Sequence, residues 1–174
     1  LNIIGKLVDK GVAYTLNGDV YFDVTQDDDY GKLDINIRKY FSTVDQRVTL
    51  LLRNRWQFTS SGDVPFFEQA RLGGNLSLRA FEMGRFRGQH AVFGSAEIRF
   101  LVFSTVFYGL PFEVEVAPFL DVGQVFNDNG FDGEFNVAPG GSLRLLNRPN
   151  VGIIGNLAYG QDEVVLTGGV TLPF

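Results

Sequence analysis

Residues 32–58 read KLDINIRKYFSTVDQRVTLLLRNRWQF, and their side chains divide by parity. Leu33, Ile35, Ile37 and Phe41 share one face of an extended chain, with Asp34, Asn36 and Arg38 on the other. After the short Thr43-Val44-Asp45 turn, Val48, Leu50, Leu52, Trp56 and Phe58 make a second apolar face, opposed by Thr49, Arg53 and Arg55. Period-two alternation sustained over this length is the signature of a β-strand between two unlike environments.

The pattern recurs down the chain. Ala96, Ile98, Phe100 and Val102 oppose Ser95, Glu97 and Arg99, and residues 103–111 are expected to turn the chain. Val114, Val116, Leu120 and Val122 then oppose Glu113, Glu115, Asp121 and Gly123. Leu143 and Leu145 oppose Ser142 and Arg144, and Asn147-Arg148-Pro149-Asn150 makes a tight turn. Val151, Ile153, Leu157 and Tyr159 form a sixth apolar face, and Val164, Leu166, Val170, Leu172 and Phe174 a seventh. The longest segment without alternation covers residues 59–89, and a second polar loop begins at Asn127-Asp128-Asn129-Gly130.

Successive strand ends alternate between two rims, so the tight turns fall mostly on one rim and the two longest loops on the other, as in outer-membrane barrels. The polar face carries Arg38, Arg53, Arg55, Glu97, Arg99, Glu113, Glu115, Asp121 and Arg144. Those charges are too many for a dry core and suit a hydrated lumen, which turns the apolar faces towards lipid. A soluble lipocalin-like binder reverses that arrangement, with its apolar face inward. The fold expected is therefore all-β: an antiparallel outer-membrane β-barrel, or a part of one, of about seven to nine strands with one long loop.

Composition agrees. The 174 residues are 45% hydrophobic, with 21 glycines and 17 phenylalanines but one methionine, a bias towards tightly turned β-structure. A formal net charge of −5 disfavours nucleic acid as a partner. There is no cysteine, which fits an export route and equally well chance in a small protein. No apolar run approaches the roughly 20 residues of a transmembrane helix, which leaves strand spanning open. The chain starts at Leu1 without a signal-peptide pattern, so a leader has been removed or the chain is a piece of something longer.

Residues 1–31 differ from the rest. Ile3, Ile4, Leu7 and Val8 have helical spacing ahead of Gly11, and residues 12–24 suggest a hairpin about Asn17-Gly18, followed by the acidic Asp27-Asp28-Asp29. The run IIGKLVDKGVAYTLNGDVYFDV, followed by DYGKL, resembles a short internal segment of cysteinyl-tRNA synthetases. None of that family's nucleotide- or zinc-binding motifs accompanies it, so the resemblance implies no enzymatic activity. The expected division is an N-terminal segment, residues 1–31, a helix plus a hairpin whose resemblance is either coincidence or a junction of unrelated coding segments, and a membrane barrel domain, residues 32–174.

The long loop contains LGGNLSLRAF at residues 72–81, followed by RFRG; downstream stand GSAEIRF, APFLDVGQVF, GGSLRLL and a terminal Phe174. In this order the motifs resemble the C-terminal part of the BamA/TamA-type barrel superfamily, which includes two-partner-secretion transporters and bacterial surface antigens. The resemblance covers residues 32–174. It implies the C-terminal half of a barrel, with the long loop folded back into the lumen through Leu78, Arg79, Ala80 and Phe81 and with Arg79 meeting Glu97 of AEIRF and Asp121 of FLDVG. Strand phase independently puts Glu97 and Asp121 on the lumen face, where a guanidinium needs carboxylates. Ala80 stands where the family usually has glycine, which is harmless unless the position needs a positive φ. Arg85 and Arg87 read as ordinary solvated or lumen charges. The C-terminal Val170, Leu172 and Phe174 look like the terminal signal strand by which outer-membrane proteins are recognised for insertion.

Catalysis is not expected. Glu113 and Glu115 on one strand face imply no acid–base environment. His90 is the sole histidine, and neither Gly73-Gly74 nor Gly140-Gly141 precedes a helical pattern. No metal site and no cofactor are expected. The resemblance implies insertion or translocation of proteins at the bacterial outer membrane. Its partners would be the lipid bilayer, unfolded outer-membrane clients or further barrel subunits. A porin-like or structural barrel without assembly activity and a soluble β-barrel binder are the alternatives, and a fragment, a mini-barrel and an assembly subunit are all compatible with the strand count.

Overall fold

The computed structural model describes residues 13–16, 19–22, 31–59, 68–130, 133–147, 151–161 and 163–171. Every regular element in it is a strand. A four-residue pair, β1 (Ala13–Leu16) and β2 (Asp19–Phe22), forms an antiparallel hairpin whose register closes on Leu16 opposite Asp19. It is a sheet of its own. The Asn17-Gly18 turn, the helical pattern of residues 2–10 and the acidic run at 27–29 lie outside the described residues.

The alternating segments build one seven-stranded antiparallel sheet. Its strands are β3 (Lys32–Ser42), β4 (Val48–Thr59), β7 (His90–Phe107), β8 (Leu110–Phe126), β9 (Asn136–Asn147), β10 (Val151–Gly160) and β11 (Glu163–Thr171). They lie side by side in chain order, and β3 and β11 form the two edges; the sheet is an open, partial barrel. Each strand has the roughly 9–11 residues that a tilted membrane strand needs. Parity holds across the sheet. Ile37, Trp56, Ile98, Phe100, Leu120, Leu143, Ile153 and Leu166 are all exposed on one face, while Glu97, Asp121, Ser142 and Asn156 are buried on the other. Among the described residues no helix is long and apolar enough to cross a membrane, which says nothing of strands.

The connection between β4 and β7 is not all loop. It contains a short ribbon, β5 (Ala70–Leu72) paired with β6 (Phe86–Gly88), which presents residues 73–85 as a folded-back tip. This connection and the one between β8 and β9 leave from the same rim; the 43–47 turn and the β7–β8 turn occupy the opposite rim. The apolar core lies between the tip and the inner wall of the sheet: Leu72, Leu78, Ala80 and Phe81 pack on Ala91, Phe93, Phe119, Ala138 and Ala158. Burial of these side chains at roughly 25 cal/mol per Å² holds the loop inside, since a polar inner wall alone supplies little hydrophobic attraction.

The expected turn over residues 103–111 is corrected. β7 and β8 are the longest strands and meet at a two-residue turn, Tyr108-Gly109, with φ of 50° and 77°. The physical reason is a β-bulge between Leu101 and Phe103, which breaks the period-two pattern while the ladder continues beyond it. Val102 is therefore the inserted residue and not a regular member of the face carrying Ala96, Ile98 and Phe100.

Candidate functional site: a loop pinned in the lumen

Local hydrogen bonds shape the tip before any long-range contact forms. The Gly74 amide donates to the Phe81 carbonyl at 2.8 Å, Ser77 to Gly74 at 3.1 Å, and Phe81 to Leu78 at 3.1 Å. Ser77 Oγ accepts from the Gly73 amide at 2.8 Å. Gly73 has a φ of +115°, and a Cβ there would stand 2.1 Å from the Glu82 carbonyl oxygen, so only glycine fits. This geometry presents Arg79 to the sheet.

Arg79 is met by two carboxylates from adjacent strands. Its Nε and Nη2 each donate at 2.8 Å to the two oxygens of Asp121, a fork-to-fork pair, and Nη1 donates to Glu97 Oε2 at 2.6 Å. Its backbone amide also donates to Asp121 Oδ2 at 3.2 Å. The guanidinium carbon lies 3.3 Å from the centroid of the Phe119 ring, a stacked cation–π contact. Asp121 is 0% exposed, Glu97 4% and Arg79 9%. β7 and β8 set the spacing, because Ser95 stands opposite Asp121 and Glu97 opposite Phe119 in the ladder.

Sequence reading did not single out several members of this constellation. Ser95 Oγ donates to Asp121 Oδ1 at 2.6 Å and lies 3.3 Å from Arg79 Nη2. Glu97 also receives Arg99 at 2.8 Å and Arg144 at 3.3 Å, and Arg144 reaches Glu115 at 3.2 Å. Arg53 clamps the tip by donating to the Leu76 carbonyl at 2.7 Å. A signal for two of them existed: Ser95 shares the phase of Glu97, and Phe119 is an aromatic ring on the face that carries Glu113, Glu115 and Asp121.

Space for the loop comes from small residues. A Cβ on Gly140 would lie 2.5 Å from the Phe119 ring, and one on Gly160 2.8 Å from the Ala80 methyl. Ala80 has no positive φ, so its backbone needs no glycine, and its methyl sits buried against Gly160. Arg85 and Arg87 are exposed; Arg85 donates to Gln161 Oε1 at 2.8 Å and Arg87 to the Gly84 carbonyl at 3.3 Å. Val170 is an exposed residue of the edge strand β11, whereas Leu172 and Phe174 lie outside the described residues.

At the long-loop rim, His90 joins three segments. The Thr59 amide donates to His90 Nδ1 at 3.1 Å, which leaves Nε2 as the donor to Asp128 Oδ1 at 3.0 Å. Gln89 and Asp128 exchange a second pair of bonds, at 2.8 and 3.2 Å. The hydrogen bonds from His90 and Gln89 hold the Asp128 carboxyl below the usual carboxylate range. A backbone amide occupies the imidazole nitrogen that a nucleophilic hydroxyl would need, so this Asp–His pair activates nothing. Among the described residues no group of three or more His, Cys, Asp or Glu could hold a metal.

A one-sided amphipathic antiparallel sheet, with a charged loop pinned to its polar face, defines the class: a transmembrane β-barrel domain with a lumen plug. A profile of the Omp85 superfamily domain matches residues 7–148, and the chain belongs to that superfamily. Its members are outer-membrane proteins of the assembly and translocation type, transporters and assembly factors rather than enzymes. A 33-residue stretch is 58% identical to the cysteine–tRNA ligase of Aquifex aeolicus (strain VF5); it covers 19% of this chain and spans 7% of the ligase's length. No solved structure matches.

Proposed function

We propose that this chain inserts or translocates proteins at the bacterial outer membrane, with residues 32–174 as the barrel domain and the Leu78–Phe81 segment as its lumen lock. The observation carrying this reading is the Arg79 guanidinium, saturated by Asp121 and Glu97 from adjacent strands at 2.6–2.8 Å. The lock braces β7 and β8 from inside, and the small residues of β9 and β10 pack beneath it. β3 and β11 are the sheet's edges among the described residues; the tip reaches β11 through Asn75, which donates to the Gly168 carbonyl at 3.4 Å, and edge backbone groups are what β-augmentation of an unfolded client requires. The partners on this reading are the bilayer and unfolded outer-membrane clients or further barrel subunits. Val170, Leu172 and Phe174 serve as the chain's own insertion signal.

The test reconstitutes the full chain in liposomes, adds a urea-denatured client barrel, and follows client folding by heat-modifiable gel mobility. Folding faster than in protein-free liposomes, lost in Arg79→Ala, supports the proposal. Stable pores with unchanged client folding would select a porin-like barrel, and a chain soluble without detergent would refute the membrane reading.

A further inference from the structure

The β7–β8 hairpin outruns its neighbours. β4 accompanies β7 as far as Phe100 opposite Val48, and β9 accompanies β8 as far as Leu146 opposite Glu113. Beyond those rows residues 102–107 and 110–112 form a two-stranded ribbon with no ladder neighbour among the described residues, about 20 Å of strand at the usual rise per residue. Residues 100–112, FLVFSTVFYGLPF, contain no charge, although Arg99 and Glu113 flank them.

The bulge decides which way this ribbon faces. Phe103 pairs with Val114 and Phe107 with Leu110, and directly opposed residues project to the same side. Val114 and Val116 lie on the outer face of β8, the side of the exposed Phe100 and Leu120. Without the extra residue at Val102, Phe103 and Phe107 would point to the lumen side; with it they extend the outer apolar face, while Ser104 and Val106 turn inward. Phe107 is 62% exposed and the tip residue Tyr108 90%. Tyr108 also holds a left-handed φ of 50°, a conformation that Asn or Gly adopts with less strain. Its ring packs edge-on against Phe107 at 4.6 Å between centroids. An aromatic kept at a strained tip position points to use of the ring outside the hairpin.

Resting on the membrane reading above, we propose that the Phe103–Phe112 hairpin is an interfacial anchor that lies in the lipid headgroup region at the short-turn rim. Two features favour lipid over a partner strand. The outer face is continuous with the lipid-facing band, and Pro111, opposite Val106 in the second row from the turn, removes a backbone donor from the outer edge of β8. The ribbon's remaining unpaired backbone groups set the depth. Hydrocarbon cannot satisfy them, whereas the headgroup zone holds water, and phenolic and phenyl rings concentrate there. The neighbouring 43–47 turn makes the contrast: it is polar, and its Asp45 accepts from Thr43 and Arg47 in water.

The cysteine-free sequence permits a direct test. Single-cysteine variants Phe107→Cys, Tyr108→Cys, Ser104→Cys and Leu120→Cys carry a spin label in nanodiscs of phosphatidylethanolamine and phosphatidylglycerol. Collision with oxygen is compared with collision with a water-soluble nickel chelate. Labels at 107 and 108 are expected in lipid, shallower than at 120, with 104 in water. Labels at 107 and 108 as wet as at 104, while 120 stays in lipid, overturn the anchor and leave the membrane reading standing. The lone Trp56, probed with brominated lipids in the unsubstituted chain, reports membrane contact without any variant. If it is unquenched and label 120 is wet, both readings fall.

Discussion

Replacing Arg79 with alanine removes three hydrogen bonds to carboxylates, a fourth to Ser95 Oγ and the stack on Phe119, while leaving both carboxylates in place. Glu97 keeps Arg99 and Arg144. Asp121 does not fare as well: at 0% exposure it retains only Ser95 Oγ at 2.6 Å and the residue-79 amide at 3.2 Å. At about 1.5–3 kcal/mol for each bond to a charged group the naive sum exceeds 4 kcal/mol, but the three bonds act as a unit and do not add. Removing one partner of a buried pair costs about 3–5 kcal/mol, because a carboxylate is left uncompensated. Taking about 4 kcal/mol, the docked-to-undocked ratio of the loop falls roughly a thousandfold. Hydrogen exchange in nanodiscs reads this at the Gly74 and Phe81 amides, which are bonded within the tip, against β4–β7 ladder amides as an internal reference. Adding Asp121→Asn to the Arg79→Ala variant is expected to recover part of the loss, since the uncompensated charge is then gone. Unchanged protection at Gly74 and Phe81 in Arg79→Ala would show that apolar packing alone holds the loop, and the lock would be discarded.

Three further outcomes are expected. Gly160→Val forces a side chain against Ala80 and the Phe81 ring, so the loop tip is expected to lose about 1–3 kcal/mol of docking, seen as faster proteolysis within residues 73–85. Leu120→Arg puts a charge on the outer face and is expected to cost about 2–4 kcal/mol in lipid, measured by urea titration of the folded barrel in vesicles. Asp128 has a depressed folded-state pKa, so its contribution is present above the ordinary carboxylate pKa and is lost as pH falls through the lower folded value. Exchange protection of the Thr59 amide should accordingly weaken on acidification in the parent, and Asp128→Asn should abolish that component.

The strands were legible because parity survives where one face meets lipid and the other a hydrated lumen: Leu33 to Phe58 already show both environments. The β5–β6 ribbon was not, since three-residue strands with Arg71 opposite Arg87 carry neither alternation nor a hairpin turn signal. The length of the β7–β8 hairpin was hidden for a different reason. One inserted residue at Val102 switches the parity, so Phe103 and Phe107 read as a turn although they continue a strand, and Tyr108 is not a residue that announces a positive-φ turn. At the site, strand phase puts Glu97 and Asp121 on the inner wall, and the structure sets Arg79 between them. Phase places Ser95 and Phe119 on the same inner face, but their contact with Arg79 depends on the β7–β8 register, Ser95 opposite Asp121 and Glu97 opposite Phe119, which one sequence does not reveal.

The open sheet has a directional consequence. Seven strands in strict antiparallel order make β3 and β11 run the same way. If those two edges met, their ladder would be parallel. An antiparallel seam therefore needs an odd number of further strands between them, which gives the even total usual for single-chain bacterial barrels. Once such a seam exists, parity constrains what can enter it. A single added strand must run parallel to one of its neighbours, whereas a hairpin leaves every ladder antiparallel. The smallest unit that this wall can accept without changing its hydrogen-bond pattern is thus two strands and the turn that joins them.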